Sequence, residues 1–355
     1  MMAKTKMQLT SELGSDWWND SNDHALLQHA VDEGAVGATS NPIITKAAVE
    51  SHPDVWNPVI DRLIKDHPEK SEDEIAWLLV DEVGRRAAAI LEPVYERTDG
   101  RKGKLSLQVS PKYYRNAEEM VQHAEHLASL APNIAVKNPV VPAGLRSIEE
   151  LTARGITINA TVSFSVPQAV ATAEAIERGW KRALENGVDT STLTPYVTIM
   201  VGRIDDHLRR VMAQHGITVD PGVINWAGVA IFKRAYRIFN KRGYHGKLLS
   251  AAFRCHFHWS QFLGGSVVIS IPYEWWNQFN ASNIEVVQRM EEDVPSEILA
   301  QLEDNFEDFR RAFYEDGMTP DEFASFGPSV HTLNDFLQGY NDFVCIVRQR
   351  MLGQV

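Results

Sequence analysis

The chain has 355 residues, enough for one large core or for a barrel with additions. Its 44% hydrophobic and 23% charged residues are ordinary for a globular protein, and a formal charge of −12 without any Lys/Arg run argues against nucleic acid and anionic membrane as partners. Two cysteines, Cys255 and Cys345, offer no disulfide framework and fit a reducing compartment. The opening MMAKTKMQLTSELG lacks the apolar centre of a signal peptide and no apolar run approaches a membrane span, so a cytoplasmic protein is expected.

In chain order, Leu13 to Ser21, with Trp17, Trp18 and Asp20, reads as a first strand or strand end. Asp23 to Asp32 has helical period, and Ala35 to Thr39 is a short second strand. Pro42 then holds Asn41 extended, as suits a polar strand end. Thr45 to Tyr95 is helical and longer than one crossover needs, with Ser71 capping acidic residues 72–74. Leu105 to Ser110 is a third strand with Gln108 near its end, followed by a helix over Asn116 to Ser129.

Residues 132–165 organise the rest. An apolar run carries Lys137, a helix spans Ser147 to Arg154, and a second apolar run, Ile156 to Val162, carries Asn159 and Thr161. That succession is a parallel βαβ unit. Alternation puts Ile134 and Val136 on one face and Ala135 and Lys137 on the other. A lysine held between packed faces loses its charge more readily, and a neutral amine is a nucleophile toward carbonyls. The plainer alternative is a strand-end lysine reaching to solvent.

A helix over Pro167 to Glu185 precedes a sixth strand, Pro195 to Gly202, that ends at Arg203. Helices over Asp205 to His215 and Trp226 to Lys241 lead to a seventh strand, Lys247 to Phe253, running into Arg254. Ser266 to Ile271 is the eighth. Eight short strands separated by helices predict an α/β fold, a (βα)8 TIM-type barrel, over residues 1–282. A doubly wound sheet would show a glycine-rich phosphate turn after its first strand, and there is none. Residues 283–355 are helical and acidic in pattern, with a capping box at Thr319-Pro320-Asp321-Glu322 and an apolar stripe of Leu333, Phe336, Leu337, Tyr340, Phe343, Val344 and Val347. They read as a helical extension packed on the barrel, bracing it, serving an oligomer contact, or covering the site.

Barrel active sites lie at the C-terminal ends of strands. The polar residues there are Asp20, Asn41, Gln108, Lys137, Asn159, Thr161, Thr198, Arg203 and Arg254. Each has a dull explanation: Asn41 capping a turn, Gln108 satisfying a backbone group, the arginines in ion pairs. Together they form one ring with an amine, a carboxylate, amides, hydroxyls and two guanidiniums. A lysine iminium is an electron sink, a carboxylate can take a hydroxyl proton, and arginines hold phosphate. Cys255, His256 and His258 suggest a metal less well, because no third ligand is evident, and there is no GxSxG elbow.

Thr39-Ser40-Asn41-Pro42, Val136-Lys137, Gly155-Ile156 with Asn159-Ala160-Thr161, and Val201-Gly202-Arg203-Ile204 together resemble the transaldolases, over roughly residues 13–272. The resemblance implies a Schiff base on Lys137, Asp20 as general acid/base at the sugar C4 hydroxyl, and Asn41 and Asn159 at the dihydroxyacetone end. It further implies that Thr161 positions a catalytic water, that Arg203 and Arg254 hold a phosphate, and that no cofactor or metal is used. Phosphorylated sugars are the implied partners, with a homo-oligomer left open. Transaldolases proper have glutamate where this chain has Gln108, which is similar to the fructose-6-phosphate aldolase branch. Met200 stands where that branch has tyrosine and transaldolases usually have phenylalanine, while Asn138 and Val141 replace a common aliphatic residue and threonine. The readings are a pentose-phosphate-pathway transaldolase, an aldolase releasing free dihydroxyacetone, or a sugar-phosphate-binding barrel without turnover.

Overall fold

The computed structural model describes residues 4–220 and 222–353; residues 1–3, 221 and 354–355 of the two expected ranges lie outside these. Eight parallel strands close into a barrel in sequence order: β1 Asp16–Asn19, β2 Gly37–Thr39, β3 Lys104–Gln108, β4 Ile134–Pro139, β5 Ile158–Thr161, β6 Tyr196–Ile199, β7 Lys247–Ser250 and β8 Val268–Ile271. β8 pairs with β1 to complete the ring. Each strand falls inside, or within one residue of, an apolar run predicted above. Strands sandwiched between a filled interior and outer helices are apolar on both faces, which made those runs legible.

The pleat divides the side chains between two faces, in β4 as the alternation predicted. Trp17, Leu107, Val136 and Ile158 face the helices in the main core, while Trp18, Ala135, Tyr196, Leu249 and Val268 form a separate cluster within the barrel. Gly37 is required by this filling. A Cβ there would lie 2.4 Å from the Trp18 indole, which occupies the space the glycine leaves.

Helix boundaries moved where a side chain found a better partner than its own helix end. The helix after β4 begins at Pro142, not Ser147, because Ser147 Oγ accepts the Asn138 amide at 2.8 Å and Pro142 supplies a pre-set first turn. After β6 the helix begins at Val201, so Gly202 and Arg203 lie in its first turn rather than on the strand. Asp205, the expected start, instead accepts the Gly228 amide at 3.0 Å. The long segment after Asn41 resolves into helices Pro42–Ser51, Pro53–Asp66 and Glu72–Arg97, the last opened by the Ser71–Glu74 capping box.

Residues 283–295 carry no helix, contrary to expectation. Their backbone is held by a side chain: the buried Lys233 Nζ donates to the carbonyls of Arg289 at 2.7 Å and Glu292 at 2.8 Å. Helices Ser296–Asn305 and Glu307–Phe313, a 3₁₀ turn Pro320–Glu322 with the predicted capping box, and the C-terminal helix Gly327–Met351 follow. The C-terminal helix lies across the C-terminal mouth of the barrel. Near its start Ser329 Oγ accepts from Gln168 Nε2 at 3.4 Å, and further along Tyr340 donates to Asp73 at 2.6 Å and Arg350 pairs with Asp61. Leu333, Phe336, Tyr340, Phe343, Val344 and Val347 are buried as the stripe predicted. Among the described residues no helix is long and apolar enough to cross a membrane.

Candidate active site

Lys137 sits near the end of β4, pointing into the barrel and almost fully buried. Its Nζ donates to the Ser40 carbonyl at 3.2 Å, the one hydrogen bond it makes among the described residues. Burial pushes its pKa below the ordinary lysine value, and the Asp20 carboxylate only partly opposes that. Asp20 follows β1, its N–H continuing the ladder to the Ile271 carbonyl at 3.0 Å. It keeps a path to solvent, yet protein atoms surround its carboxyl group. That desolvation raises its pKa, outweighing Lys137, a hydrogen bond from Thr39 Oγ1, and the nearby Arg203 charge. Lys137 and Asp20 form no direct ion pair, and both are displaced toward their neutral forms, as suits a nucleophile and a general acid/base.

The amides and hydroxyls around this pair are tied to one another. Thr198 Oγ1 donates to Asn159 Oδ1 at 2.7 Å, and Asn159 Nδ2 donates to Ser106 Oγ at 3.0 Å, so the buried Asn159 amide has one fixed orientation. Thr161 Oγ1 lies 3.8 Å from Met200 Sδ. Val162, the next residue, has φ of +54°, a costly left-handed conformation for a β-branched side chain, and Gln168 Nε2 binds its carbonyl at 3.1 Å. Asn41 does cap a helix: its Oδ1 accepts the Ile44 amide at 2.9 Å, leaving its NH₂ free for other use. Gln108 is the Cα partner of Lys137 across β3 and β4, and its buried Oε1 has no donor among the described residues. It borders a cavity of about 20 Å³, room for roughly one water, with Asn41, Trp77, Tyr340 and Phe343.

The backbone turns that carry the two arginines are brought together by a glycine. At Gly202 a Cβ would lie 1.9 Å from the Ala252 carbonyl and 2.7 Å from Arg254 Cγ, so only glycine lets the turn after β7 cross the helix start that carries Arg203. Both guanidiniums hold carboxylates here: Arg203 Nη1 donates to Asp335 at 2.6 Å, and Arg254 Nε grips both oxygens of Asp206 at 3.1 and 2.9 Å. His256 and His258 lie at a short helix, Phe257–Ser260, rather than on a strand, with separate partners Ser260 and Asp205. Larger clefts exist elsewhere. One of about 590 Å³, lined by Thr194, Asn240, His245 and Lys247, lies at the opposite, N-terminal end of the strands and holds no ring residue.

All nine predicted residues thus lie on one rim. Sequence reading missed the roles of Thr39, Ser40, Ser106 and Ser270, which hydrogen-bond within the ring. The period-2 signal was present for two of them, since Thr39 and Ser106 stand two residues before Asn41 and Gln108 on inward positions. Tyr340, Phe343 and Asp335 had no such signal, because nothing local ties a helix two hundred residues downstream to that rim.

Fold and site define a (βα)8 barrel with a buried lysine of lowered pKa and a carboxyl group of raised pKa at its C-terminal mouth, an arrangement suited to Schiff-base chemistry. The family model described as Transaldolase/Fructose-6-phosphate aldolase matches residues 17–325, and the chain belongs to this family. The match runs beyond residue 272, where the motif resemblance ended, into the C-terminal extension. Relatives include the transaldolase of Thiobacillus denitrificans, 30% identical over 64% of this chain and 65% of that protein. The transaldolase of Kocuria rhizophila is 30% identical over 67% and 66% respectively, and Transaldolase 1 of Streptomyces avermitilis is 30% identical over 58% and 54%. The matched part therefore spans 54–66% of the length of these relatives.

Proposed function

We propose that this protein is a transaldolase of the pentose phosphate pathway. It moves a dihydroxyacetone unit from a ketose phosphate, sedoheptulose 7-phosphate or fructose 6-phosphate, to an aldose phosphate. Residues 1–282 form the catalytic barrel and 283–355 a helical extension packed on it, with its last helix over the mouth. The observation that carries the reading is Lys137: a buried amine with a lowered pKa, one carbonyl partner, and a carboxyl group with a raised pKa on the same rim.

The neutral Lys137 amine adds to the ketone C2, and loss of water leaves an iminium. Asp20 takes the C4 hydroxyl proton, the C3–C4 bond breaks, and its electrons flow into the iminium to leave an enamine. The aldose phosphate departs. The enamine carbon then attacks the acceptor aldehyde, Asp20 returns its proton to the new alkoxide, and water releases the product from Lys137. Asn41 and Asn159 bind the dihydroxyacetone end, with Thr198 holding Asn159 in its orientation. Thr161 and Gln108 position water, and Arg203 and Arg254 take the phosphate.

A second reading, an aldolase releasing free dihydroxyacetone, is favoured by one feature. Gln108 can hold a water but cannot relay its proton as a carboxylate would. Intact mass after borohydride treatment with fructose 6-phosphate, on wild type and Lys137→Ala, tests the common chemistry. A three-carbon adduct on wild type alone is expected. No adduct with any ketose phosphate would overturn the enzyme reading in favour of a binding barrel. Donor-only turnover separates the rest, because free dihydroxyacetone without an acceptor would favour the aldolase.

A further inference from the structure

We propose that Asp335 is a specificity-determining residue that sets how tightly the rim takes a phosphate group, by competing with it for Arg203. The inference rests on the reading of Arg203 as a phosphate holder.

Arg203 sits in the first turn of the helix after β6 with its side chain only 20% exposed, and Nη1 donates to Asp335 Oδ2 at 2.6 Å. Among the described residues its Nε and Nη2 make no hydrogen bond to protein, so the guanidinium can receive a second acceptor. Any anion bound there stands at ion-pair range from the Asp335 carboxylate. Like charges sharing one cation repel, and they compete for its donors. Arg254 is already gripped by Asp206, which Arg209 also approaches at 3.5 Å, so both rim arginines carry a carboxylate partner when a phosphate approaches.

Fold stability does not account for Asp335. Its side chain is 45% exposed, and an ion pair so open to solvent adds little to folding. Its position is nevertheless well determined. Thr332 and Phe336 on either side are buried, and hydrogen bonds at Ser329 and Tyr340 anchor the helix before and after it. The carboxylate is therefore delivered to Arg203 by a fixed strap rather than by a wandering surface residue.

The test is titration calorimetry of the full chain with inorganic phosphate. Wild type is compared with Asp335→Asn, Arg203→Met, the Arg203→Met/Asp335→Asn double variant, and Asp342→Asn, which removes a charge farther along the same helix. Asp335→Asn, nearly isosteric and half-exposed, is expected to bind phosphate about tenfold more tightly, as follows from removing one like charge at ion-pair range. The double variant should lose that gain, and Asp342→Asn should match wild type. Unchanged or weaker binding by Asp335→Asn overturns the proposal. So does an equal gain in Asp342→Asn, which would trace the effect to overall charge, or a gain that survives in the double variant. Failure of the underlying reading looks different. Arg203→Met binding phosphate as wild type does would remove Arg203 from the phosphate site, and absence of a borohydride adduct would remove the transferase chemistry while leaving the phosphate titrations interpretable.

Discussion

Replacing Gln108 by glutamate sets a carboxylate beside the reacting amine. Gln108 and Lys137 are Cα partners on adjacent parallel strands and both point inward. Neighbouring strands lie about 5 Å apart, and at an effective dielectric of about 20 a full charge at that distance favours the ammonium by about 3 kcal/mol, or roughly two pKa units. Burial of the new carboxylate reduces this, so a rise of about one unit is the working figure. The sign follows from the protein's own lysine, which burial holds below 10.5. Imine formation needs the neutral amine, so its rate climbs as pH rises through the Lys137 pKa. In Gln108→Glu that climb moves to higher pH by about one unit, with about tenfold slower imine formation on the rising limb and the same plateau in base. The assay is the rate of borohydride-trapped adduct as a function of pH, with Gln108→Leu as the uncharged control. A profile that stays put or moves to lower pH in Gln108→Glu, or an equal shift in Gln108→Leu, would refute the reasoning that position 108 addresses the amine electrostatically.

Lys137→Met should abolish the adduct yet stabilise the fold by about 1–2 kcal/mol near neutral pH, because an apolar chain of similar length replaces a buried amine with a single carbonyl partner. With the native pKa depressed, the unfolded chain binds more protons between that value and 10.5, so wild type gains stability as pH rises through this window and the gap to the variant narrows. Urea unfolding at several pH values reads this, and a variant less stable than wild type at neutral pH would contradict it. Gly37→Ala should cost about 2 kcal/mol or more through overpacking, since its methyl would lie 2.4 Å from the Trp18 ring. Thermal unfolding of Gly37→Ala should recover partly when Trp18→Leu is added, and no recovery would mean that the cost comes from the backbone.

The barrel was legible because its strands are buried on both faces and separated by helices, a pattern that local composition carries. The lysine was legible for a related reason. An ionisable residue inside an apolar run, at a position that alternation turns inward, conflicts with its surroundings, and such conflicts gather at functional sites. The plain alternatives were legible too. Asn41 does cap a helix, and both arginines do sit in ion pairs. Helix starts at 142 and 201 were misread because Ser147 and Asp205, good caps by type, spend their side chains on Asn138 and Gly228 instead.

By itself, then, the sequence determined the order of strands, the inward face of the lysine strand, and the set of polar groups at the strand ends, since these depend on periods of two and on burial along the local chain. Only the tertiary structure decided what those groups meet. That Lys137 rests on the Ser40 carbonyl, that Gly202 lets the Arg203 and Arg254 turns cross, and that Asp335 and Tyr340 come to the rim from the C-terminal helix are contacts between residues far apart in sequence. Barrel closure and the packing of the extension select those pairs, and no local period encodes them.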